Sequence, residues 1–225
     1  MNKVLALTLI HERSERLPGK MFARLGGKPL CHWSIDTLRE ATARTGVDYR
    51  LGVWPKERRL MALAEDKGVP IIPRTERSAY GETTADMYDP PLVQAIRSHW
   101  DAVLLVNVAF PFLTIADHVE WIERARVCTK THAAAWRKQR FIWDAGGHVV
   151  LGTAQPSTHD GQEYFEPHGA YYAAPTADIG TARLYEGVVP VPVPDEPRFR
   201  LDIDIVTDLT FANLYLQSEL SLRIA

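Results

Sequence analysis

The sequence is poor in the residues that hold small secreted or metal-binding proteins together. Its 225 residues include two cysteines, Cys31 and Cys128, which stand in no paired metal-ligand spacing. A disulfide framework and a zinc site are therefore not expected, and two small buried apolar residues are the plainer interpretation. No run approaches the roughly 18 apolar residues of a membrane span. The first apolar run also ends at His11, too early for a secretion signal. We expect no membrane contact and a cytoplasmic protein.

An excess of positive charge is also absent. Lysine and arginine together number 26 against 28 aspartates and glutamates, which gives a net charge of −2. Proteins that coat nucleic acids usually carry a clear basic excess or stripe, so no nucleic-acid partner is expected. Any anionic ligand must then be bound by a local group of cations. With 46% hydrophobic and 24% charged residues, the composition is that of an ordinary folded protein.

The sequence does contain an alternation of strand-like and helix-like segments. The branched apolar run from Val4 to Ile10 predicts a strand that is buried on both faces of a parallel sheet. Helix and strand patterns then alternate as far as Trp136, with Gly68 as one expected helix end. Right-handed crossovers between parallel strands place helices on both faces. We therefore predict one α/β domain of residues 1–225, with three layers and a mostly parallel sheet.

The alternation breaks between about residues 137 and 169. The stretch FIWDAGGHVVLG predicts a hairpin that turns at Gly146 and Gly147, outside the repeating pattern. A hairpin of this size is marginal alone, so its apolar face must pack on its own domain or on another chain. The aromatic residues that need such a partner are Phe141, Trp143, Tyr164 and Phe165.

A loop rich in cations and glycine follows the first predicted strand. Residues 11–30 read HERSERLPGKMFARLGGKPL. Ligands of open α/β sheets bind beyond the carboxyl ends of the strands. Glycine lets backbone N–H groups approach an anion, and the cations neutralise its charge. The loop can therefore wrap a polyphosphate, and on composition alone a solvated basic loop is the alternative. It has neither P-loop spacing nor the G-x-G-x-x-G pattern.

Two aspartates far from this loop fall on one side of an extended segment. Asp202 and Asp204 lie two residues apart in LDIDIVTDLTFAN, so their side chains point the same way and can share one hard divalent cation. Mg²⁺ beside a nucleoside triphosphate is the natural use of such a pair. The alternative is a cluster at a helix start, with Thr207 or Asp204 as the N-cap and Asp208 complementing the dipole. For Asp208 we prefer this structural interpretation.

Four segments, in the right order, resemble the cytidylyltransferases that make CMP-sialic acid and related CMP-activated acid sugars. They are HERSERLPGKM with RLGGKPL, LLVNVAFPFLTIADHVEWI, FEPHGAYY and LDIDIVTDLTFAN, and together they span nearly the whole chain. The resemblance to this CMP-sialic acid synthetase (acylneuraminate cytidylyltransferase) family implies a nucleotide-binding, Rossmann-like sheet. It also implies a reaction in which an acceptor oxygen of an acidic sugar attacks the α-phosphate of CTP and pyrophosphate leaves, with Mg²⁺ as cofactor.

The resemblance also assigns roles to residues of this chain. Lys20 and Arg16 would contact the phosphates and Asp202 and Asp204 would hold Mg²⁺. His11 would donate to a phosphate oxygen or assist proton transfer, although a lone histidine is more often structural. The residues expected near the nucleotide are Ser14, Arg13, Gly26, Gly27 and Asn107. The residues expected near the acceptor are Gln162, His168 and Asn107.

The chain departs from the family pattern at several polar positions. The altered positions are His11, Glu15, Met21, Asn107, Ala109, Phe110, Leu113, Glu166 and His168. At Glu15 and Glu166 a positive charge is replaced by a negative one, and such an inversion at an anion site is worth a few kcal/mol of repulsion at an effective dielectric near 20. Two alternatives therefore accompany the acidic-sugar acceptor. One is the same chemistry on a different acceptor such as a phosphonate, and the other is a nucleotide-binding homologue with impaired catalysis.

Similar enzymes use the equivalent of the 137–169 segment to form a two-fold dimer in which each chain reaches towards the other's acceptor pocket. The resemblance therefore implies a homodimer, with Lys138, Gln139 or Arg140 near the neighbouring site. An intramolecular lid over the same aromatic residues is the alternative.

Overall fold

The computed structural model describes residues 2–81, 83–127, 129–139, 141–143, 149–152 and 162–222. In chain order the described strands are β1 (Val4–Leu9), β2 (Arg24–Leu25), β3 (Lys28–Pro29), β4 (Asp48–Val53), β5 (Ile71–Pro73), β6 (Ala102–Val106), β7 (Thr131–Gln139), β8 (Phe141–Trp143), β9 (Val149–Gly152), β10 (Gln162–Pro175) and β11 (Val189–Pro192). The described α-helices are α1 (Leu30–Thr45), α2 (Arg58–Lys67), α3 (Glu76–Tyr80), α4 (Thr84–Met87), α5 (Pro90–Arg97), α6 (Ile115–Ala125), α7 (Pro197–Arg200) and α8 (Val206–Leu222). None of these helices is long and apolar enough to cross a bilayer.

A central sheet of seven strands has the order β11-β7-β10-β6-β1-β4-β5. β1 pairs in parallel with β4 and β6, β4 pairs in parallel with β5, and β11 pairs in parallel with β7. β10 is the exception, since it runs antiparallel to both β6 and β7. The predicted mostly parallel α/β sheet is therefore confirmed.

Both faces of this sheet are buried, as the sequence of β1 predicts. Leu5 and Leu7 belong to one hydrophobic cluster, which includes Leu92 of α5. Ala6, between them in the chain, belongs to the other cluster, which includes Ile35 of α1. Successive residues of a strand point to opposite faces, so the two clusters are the two cores of a three-layer protein.

The 137–169 segment is more continuous with the sheet than its sequence suggests. β7 and β10 are long strands that pair from Gln162 with Gln139 onwards, so both flanks of the segment extend the central sheet. Between them β8 and β9 form the expected antiparallel hairpin. The predicted turn at Gly146 and Gly147 lies outside the described residues.

Candidate active site

Three chain segments that are distant in sequence meet at the carboxyl ends of β1 and β6. The first is the opening loop after β1, and the second is the 107–113 segment after β6. The third is the 201–205 segment, which is held to the second by a 2.9 Å hydrogen bond from the Ile203 N–H to the Ala109 carbonyl. The Asn107 N–H in turn donates to the Ala170 carbonyl of β10 at 3.1 Å. The site therefore lies where α/β folds usually bind ligands.

The opening loop and the 201–205 segment are joined by ion pairs at Asp204. Lys20 Nζ lies 2.6 Å from Asp204 Oδ1, and Arg16 Nη2 lies 2.9 Å from Asp204 Oδ2. The Lys20 side chain is 11% exposed and that of Arg16 is 68% exposed. Lys20 begins a short 3₁₀ turn after Gly19, whose φ of 69° is in the region that favours glycine. Two of the predicted phosphate-binding cations and one predicted metal ligand therefore form one charged cluster.

Asp202 lies beside this cluster with an unsatisfied carboxylate oxygen. Its Oδ1 is buried and has no hydrogen-bond partner. Burial, and then the neighbouring Asp204 charge, raise the pKa of Asp202 to about 6. Ile203 between them is fully buried, as alternation along an extended segment requires. A divalent cation would satisfy this oxygen and remove the repulsion, so the carboxylate pair fits the hard-cation site that its spacing predicts. Within the described part of the chain, no third acidic, histidine or cysteine residue completes a metal cluster with them.

Asp208 has the structural role that the sequence favours. Its Oδ2 accepts hydrogen bonds from the backbone N–H groups of Asp204 and Ile205, both at 2.9 Å. Because α8 begins at Val206, the residue before the first helical residue is Ile205, one position after Asp204 and two before Thr207, so neither alternative N-cap stands there. The Asp208 carboxylate therefore holds Asp204 at the start of α8.

A cavity of about 560 Å³ adjoins Asp202. Its described lining residues are Phe110, Ala135, Glu166, Pro167, His168, Gly169, Val193, Pro194, Asp195, Phe199, Arg200 and Asp202. The His168 ring packs on Phe110 with centroids 4.8 Å apart, and its Nε2 donates to the Phe199 carbonyl. Arg200 makes a two-point ion pair with Asp195. The predicted acceptor residue His168 therefore lines the space next to the carboxylates.

Asn107 lies near this cavity, but its side chain is engaged with the backbone. Its Oδ1 accepts a 2.9 Å hydrogen bond from the Ala109 N–H. A β-carbon at Gly169, which lines the cavity, would lie 3.7 Å from Asn107 Nδ2. Asn107 therefore fixes the turn after β6 and places its amide nitrogen towards the cavity wall.

The other predicted residues of the opening loop have separate structural contacts. Ser14 Oγ accepts from the Leu17 N–H at 3.3 Å. Gly26 and Gly27, with φ of 57° and 80°, form the two-residue turn between β2 and β3, a conformation that requires glycine-like freedom. The Gly26 N–H donates to Asn213 Oδ1 of α8 at 2.9 Å. Nucleotide contact by these residues stays a prediction.

Lys28 belongs to a different charged group from Lys20. Lys28 Nζ lies 2.7 Å from Asp36 Oδ2, and Lys67 Nζ lies 2.8 Å from Asp36 Oδ1. Lys28 also lies over the Trp33 ring at 5.0 Å. Lys20 and Arg16 therefore pair with one carboxylate, that of Asp204, while Lys28 pairs with another, that of Asp36.

His11 belongs to a second group of polar residues, which the sequence patterns do not indicate. Its Nδ1 is buried without a partner, and burial lowers the pKa of the ring. Its ring meets that of Tyr80 edge-on at 5.8 Å. Glu57, Arg74 and Lys20 are buried charged residues near it. No motif marks Glu57 or Arg74, and the one sequence signal available is that each follows the end of a parallel strand.

The departures from the family pattern fall in different environments. Ala109, Phe110 and Leu113 are at most 2% exposed, so their apolar side chains suit the core positions that they occupy. Glu15 and Glu166 are both exposed, and Glu166 also lines the cavity beside Asp202. One of the two charge inversions therefore faces the space that the resemblance assigns to the acceptor. The side chains of Lys138, Gln139 and Gln162, and the whole of Arg140, lie outside the described residues.

No protein-family model and no curated protein sequence matches this chain. Solved structures do match it. One is a 4-diphosphocytidyl-2C-methyl-D-erythritol synthase from Anaerococcus prevotii DSM 20548, with 14% identity, a TM-score of 0.67, and 96% of this chain and 99% of that chain covered. The chain shares its fold. Another is a CMP:2-keto-3-deoxy-manno-octonic acid synthetase complexed with CTP, with 14% identity, a TM-score of 0.66 and the same coverage of both chains.

Proposed function

We propose that the protein is a cytidylyltransferase that transfers CMP from CTP to an acceptor oxygen and releases pyrophosphate. The observation that carries this proposal is the cluster of Lys20, Arg16 and Asp204, with the unsatisfied oxygen of Asp202 beside it and a cavity next to that oxygen. Both similar proteins named above have cytidylyl or CMP chemistry in their names, which supports the choice of nucleotide.

The reaction divides into roles for the residues of this cluster. The acceptor hydroxyl loses its proton to solvent and its oxygen forms a bond to the α-phosphorus. The bond from that phosphorus to the bridging oxygen breaks, and the electron pair leaves with pyrophosphate. Such a transfer depends on positioning and on neutralisation of charge more than on a covalent intermediate. Lys20 and Arg16 hold phosphate oxygens, and Asp202 and Asp204 would hold Mg²⁺. When bound, Mg²⁺ supplies charge neutralisation at the phosphates and helps to orient them.

The cavity lined by His168 and Glu166 is the proposed acceptor site, because it adjoins Asp202. An acidic sugar is the acceptor that the sequence resemblance implies. Glu166 on the cavity wall favours the alternative that the acceptor differs from the ordinary carboxylate sugar, since a carboxylate would meet a like charge there.

The experiment is pyrophosphate release from CTP with Mg²⁺ and a panel of acceptors. The panel contains keto-acid sugars, phosphonates, and neutral and amino sugars. Release that depends on both Mg²⁺ and one acceptor class is the expected result. CTP binding without release for any acceptor would favour the impaired homologue, and the absence of CTP binding would refute the proposal.

A further inference from the structure

A second cavity lies at the opposite end of the sheet from the candidate active site. It has a volume of about 690 Å³, and its lining includes Lys3 just before β1, Asp48 at the start of β4 and Trp100 just before β6. The candidate active site lies beyond the carboxyl ends of β1 and β6. A strand of six residues, the length of β1, spans about 20 Å. A ligand in this cavity would therefore lie apart from the cluster at Asp204.

Arg50 lines this cavity from a sheet face that is otherwise apolar. Its partner across the ladder between β1 and β4 is Leu7, and both Leu7 and Ile72 of β5 belong to the hydrophobic cluster on that face. Arg50 is half-buried, and its Nε is screened from solvent without a hydrogen-bond partner. A cation at such a position carries a cost of desolvation that an apolar side chain would avoid. The arginine is therefore not explained by the packing of the sheet.

Arg50 also lacks an anionic partner. Within the described part of the chain no carboxylate lies at ion-pair distance from its guanidinium, which lies 5.9 Å from the centroid of the Trp100 ring. Asp48 also lines the cavity, but its Oδ2 accepts a 2.9 Å hydrogen bond from Trp100 Nε1. Lys3 and Arg126 line it as well, and Arg126 is paired with a carboxylate of α6. The described walls therefore carry more positive than negative charge, and Arg50 is the cation that has no counter-ion.

The remaining walls suit a flat apolar group. The rings of His99 and Trp100 both line the cavity, with their centroids 5.4 Å apart, and the hydrogen bond to Asp48 fixes Trp100. Val47 and Ile71 add aliphatic surface. Cavities of roughly 300 to 1,000 Å³ are typical of sites for small organic molecules, and a lone phosphate ion would fill little of this one.

We propose that this cavity is a second binding site, which takes a small molecule that carries a carboxylate or phosphate group on an aromatic ring. The anionic group pairs with the planar guanidinium of Arg50, whose fork of donors matches both kinds of anion. The ring contacts Trp100 and His99. Because the cavity lies at the other end of the sheet, its ligand and CTP bind at the same time. This inference does not depend on the proposed function. The plainer alternative is that Arg50 buries its aliphatic stem and leaves its charged end in water.

The first experiment is calorimetric titration of the full chain with phenyl phosphate, benzoate, inorganic phosphate and benzyl alcohol. Phenyl phosphate and benzoate distinguish the two anionic groups, inorganic phosphate lacks the ring, and benzyl alcohol lacks the charge. At least one of the two ring-bearing anions is expected to bind with a Kd of about 1 mM or tighter. Inorganic phosphate and benzyl alcohol should each bind at least about tenfold more weakly. Arg50→Met should weaken binding of the ring-bearing anion at least about tenfold, because it removes a hydrogen-bonding charge and keeps a side chain of similar length. Arg183→Met is the control, since Arg183 is exposed and does not line the cavity.

The second experiment measures thermal unfolding, because a residue kept for binding and one kept for structure differ there. Without ligand, Arg50→Met is expected to raise the midpoint of unfolding by about 2 to 4 °C, since an apolar side chain replaces an unpaired, half-buried cation. Arg183→Met should leave the midpoint unchanged. The ring-bearing anion should raise the midpoint of the unmodified protein and of Arg183→Met, but not that of Arg50→Met.

Each outcome decides the proposal. Saturating CTP with Mg²⁺ should leave the Kd of the ring-bearing anion unchanged within about twofold, whereas displacement by CTP would place that anion in the candidate active site and overturn the inference. Equal binding by Arg50→Met and the unmodified protein, or no binding of either ring-bearing anion, would also overturn it. A lower midpoint in Arg50→Met, or failure of that variant to fold, would show that Arg50 is structural. If CTP does not bind, the proposed function fails, but the comparison of Arg50→Met with Arg183→Met still decides this inference.

Discussion

Removing the charge of Asp204 is expected to strengthen CTP binding when no metal is present, although the same change removes a proposed metal ligand. In the structure Asp204 forms ion pairs with both of the proposed phosphate-binding residues, at 2.6 Å from Lys20 and 2.9 Å from Arg16. A metal-free triphosphate must displace this carboxylate and then lie beside its negative charge. In Asp204→Asn both obstacles are gone.

The size of the effect follows from the two pairs. Unit charges about 4 Å apart interact by roughly 4 kcal/mol at an effective dielectric near 20. The Arg16 pair is exposed, so it contributes about 1 kcal/mol or less. When CTP binds, Lys20 exchanges its contact with Asp204 for a contact with phosphate, so most of that interaction energy cancels. The net gain in Asp204→Asn is the loss of the repulsion between the Asp204 carboxylate and the triphosphate. We expect about 1 to 2 kcal/mol, which is roughly 5- to 30-fold tighter metal-free binding.

The assay is calorimetric titration with CTP in chelator and again in Mg²⁺. In the unmodified protein Mg²⁺ takes over Asp204 and releases the cations, so it should tighten CTP binding. In Asp204→Asn this benefit should largely disappear. Asp36→Asn is the matched control, because Asp36 also bridges two lysines but lies apart from the cluster. Weaker metal-free binding by Asp204→Asn, or equal tightening by Asp36→Asn, would refute the reasoning.

Four further predictions concern the same site and the assembly. Asp202→Asn should abolish Mg²⁺-dependent turnover with the fold intact, as should Asp204→Asn, and unchanged turnover in either would remove the metal assignment. The pKa of Asp202 is raised to about 6, so the folded state holds a proton that the unfolded state has released. The free energy of unfolding without metal should therefore fall by roughly 1 to 2 kcal/mol between about pH 4 and 6, after allowance for partial exposure. Denaturant titrations should show this slope vanish in Asp202→Asn. Lys20→Ala should weaken CTP binding more than Lys28→Ala in calorimetry, because Lys20 lies in the cluster proposed to bind the phosphates, whereas Lys28 is paired with Asp36 outside that cluster. Equal losses would indicate a diffuse basic patch. The chain should sediment as a homodimer at micromolar concentration, and an active monomer near 25 kDa would contradict a shared acceptor site.

The sequence predicts the inner strands β1 and β6 well because they are buried on both faces, and their apolar runs are long enough to recognise. The resemblance in motifs assigns Lys20 to the phosphates and Asp204 to Mg²⁺ of one site, and the structure brings these two residues, 184 positions apart, into contact. Composition alone does not explain the glycines of the opening loop. They are expected to let backbone N–H groups approach an anion, but Gly26 and Gly27 form a hairpin turn that is held by α8. Glu57 and Arg74 could not have been found in this way, because their burial arises only when separate strands come together.

The turn at Gly26 in the opening loop is held in place by α8. Asn213 of α8 accepts the Gly26 N–H and donates to the Arg24 carbonyl, and a β-carbon at Gly26 would lie 2.2 Å from Leu216 Cδ2. During synthesis the opening loop emerges well before α8, the helix that holds its turn. Contacts so distant in sequence form late and slowly. A nascent chain, or a chain shortened within α8, would therefore form the sheet before it forms the site. Its cation-rich opening loop would stay unanchored until α8 has left the ribosome and packed.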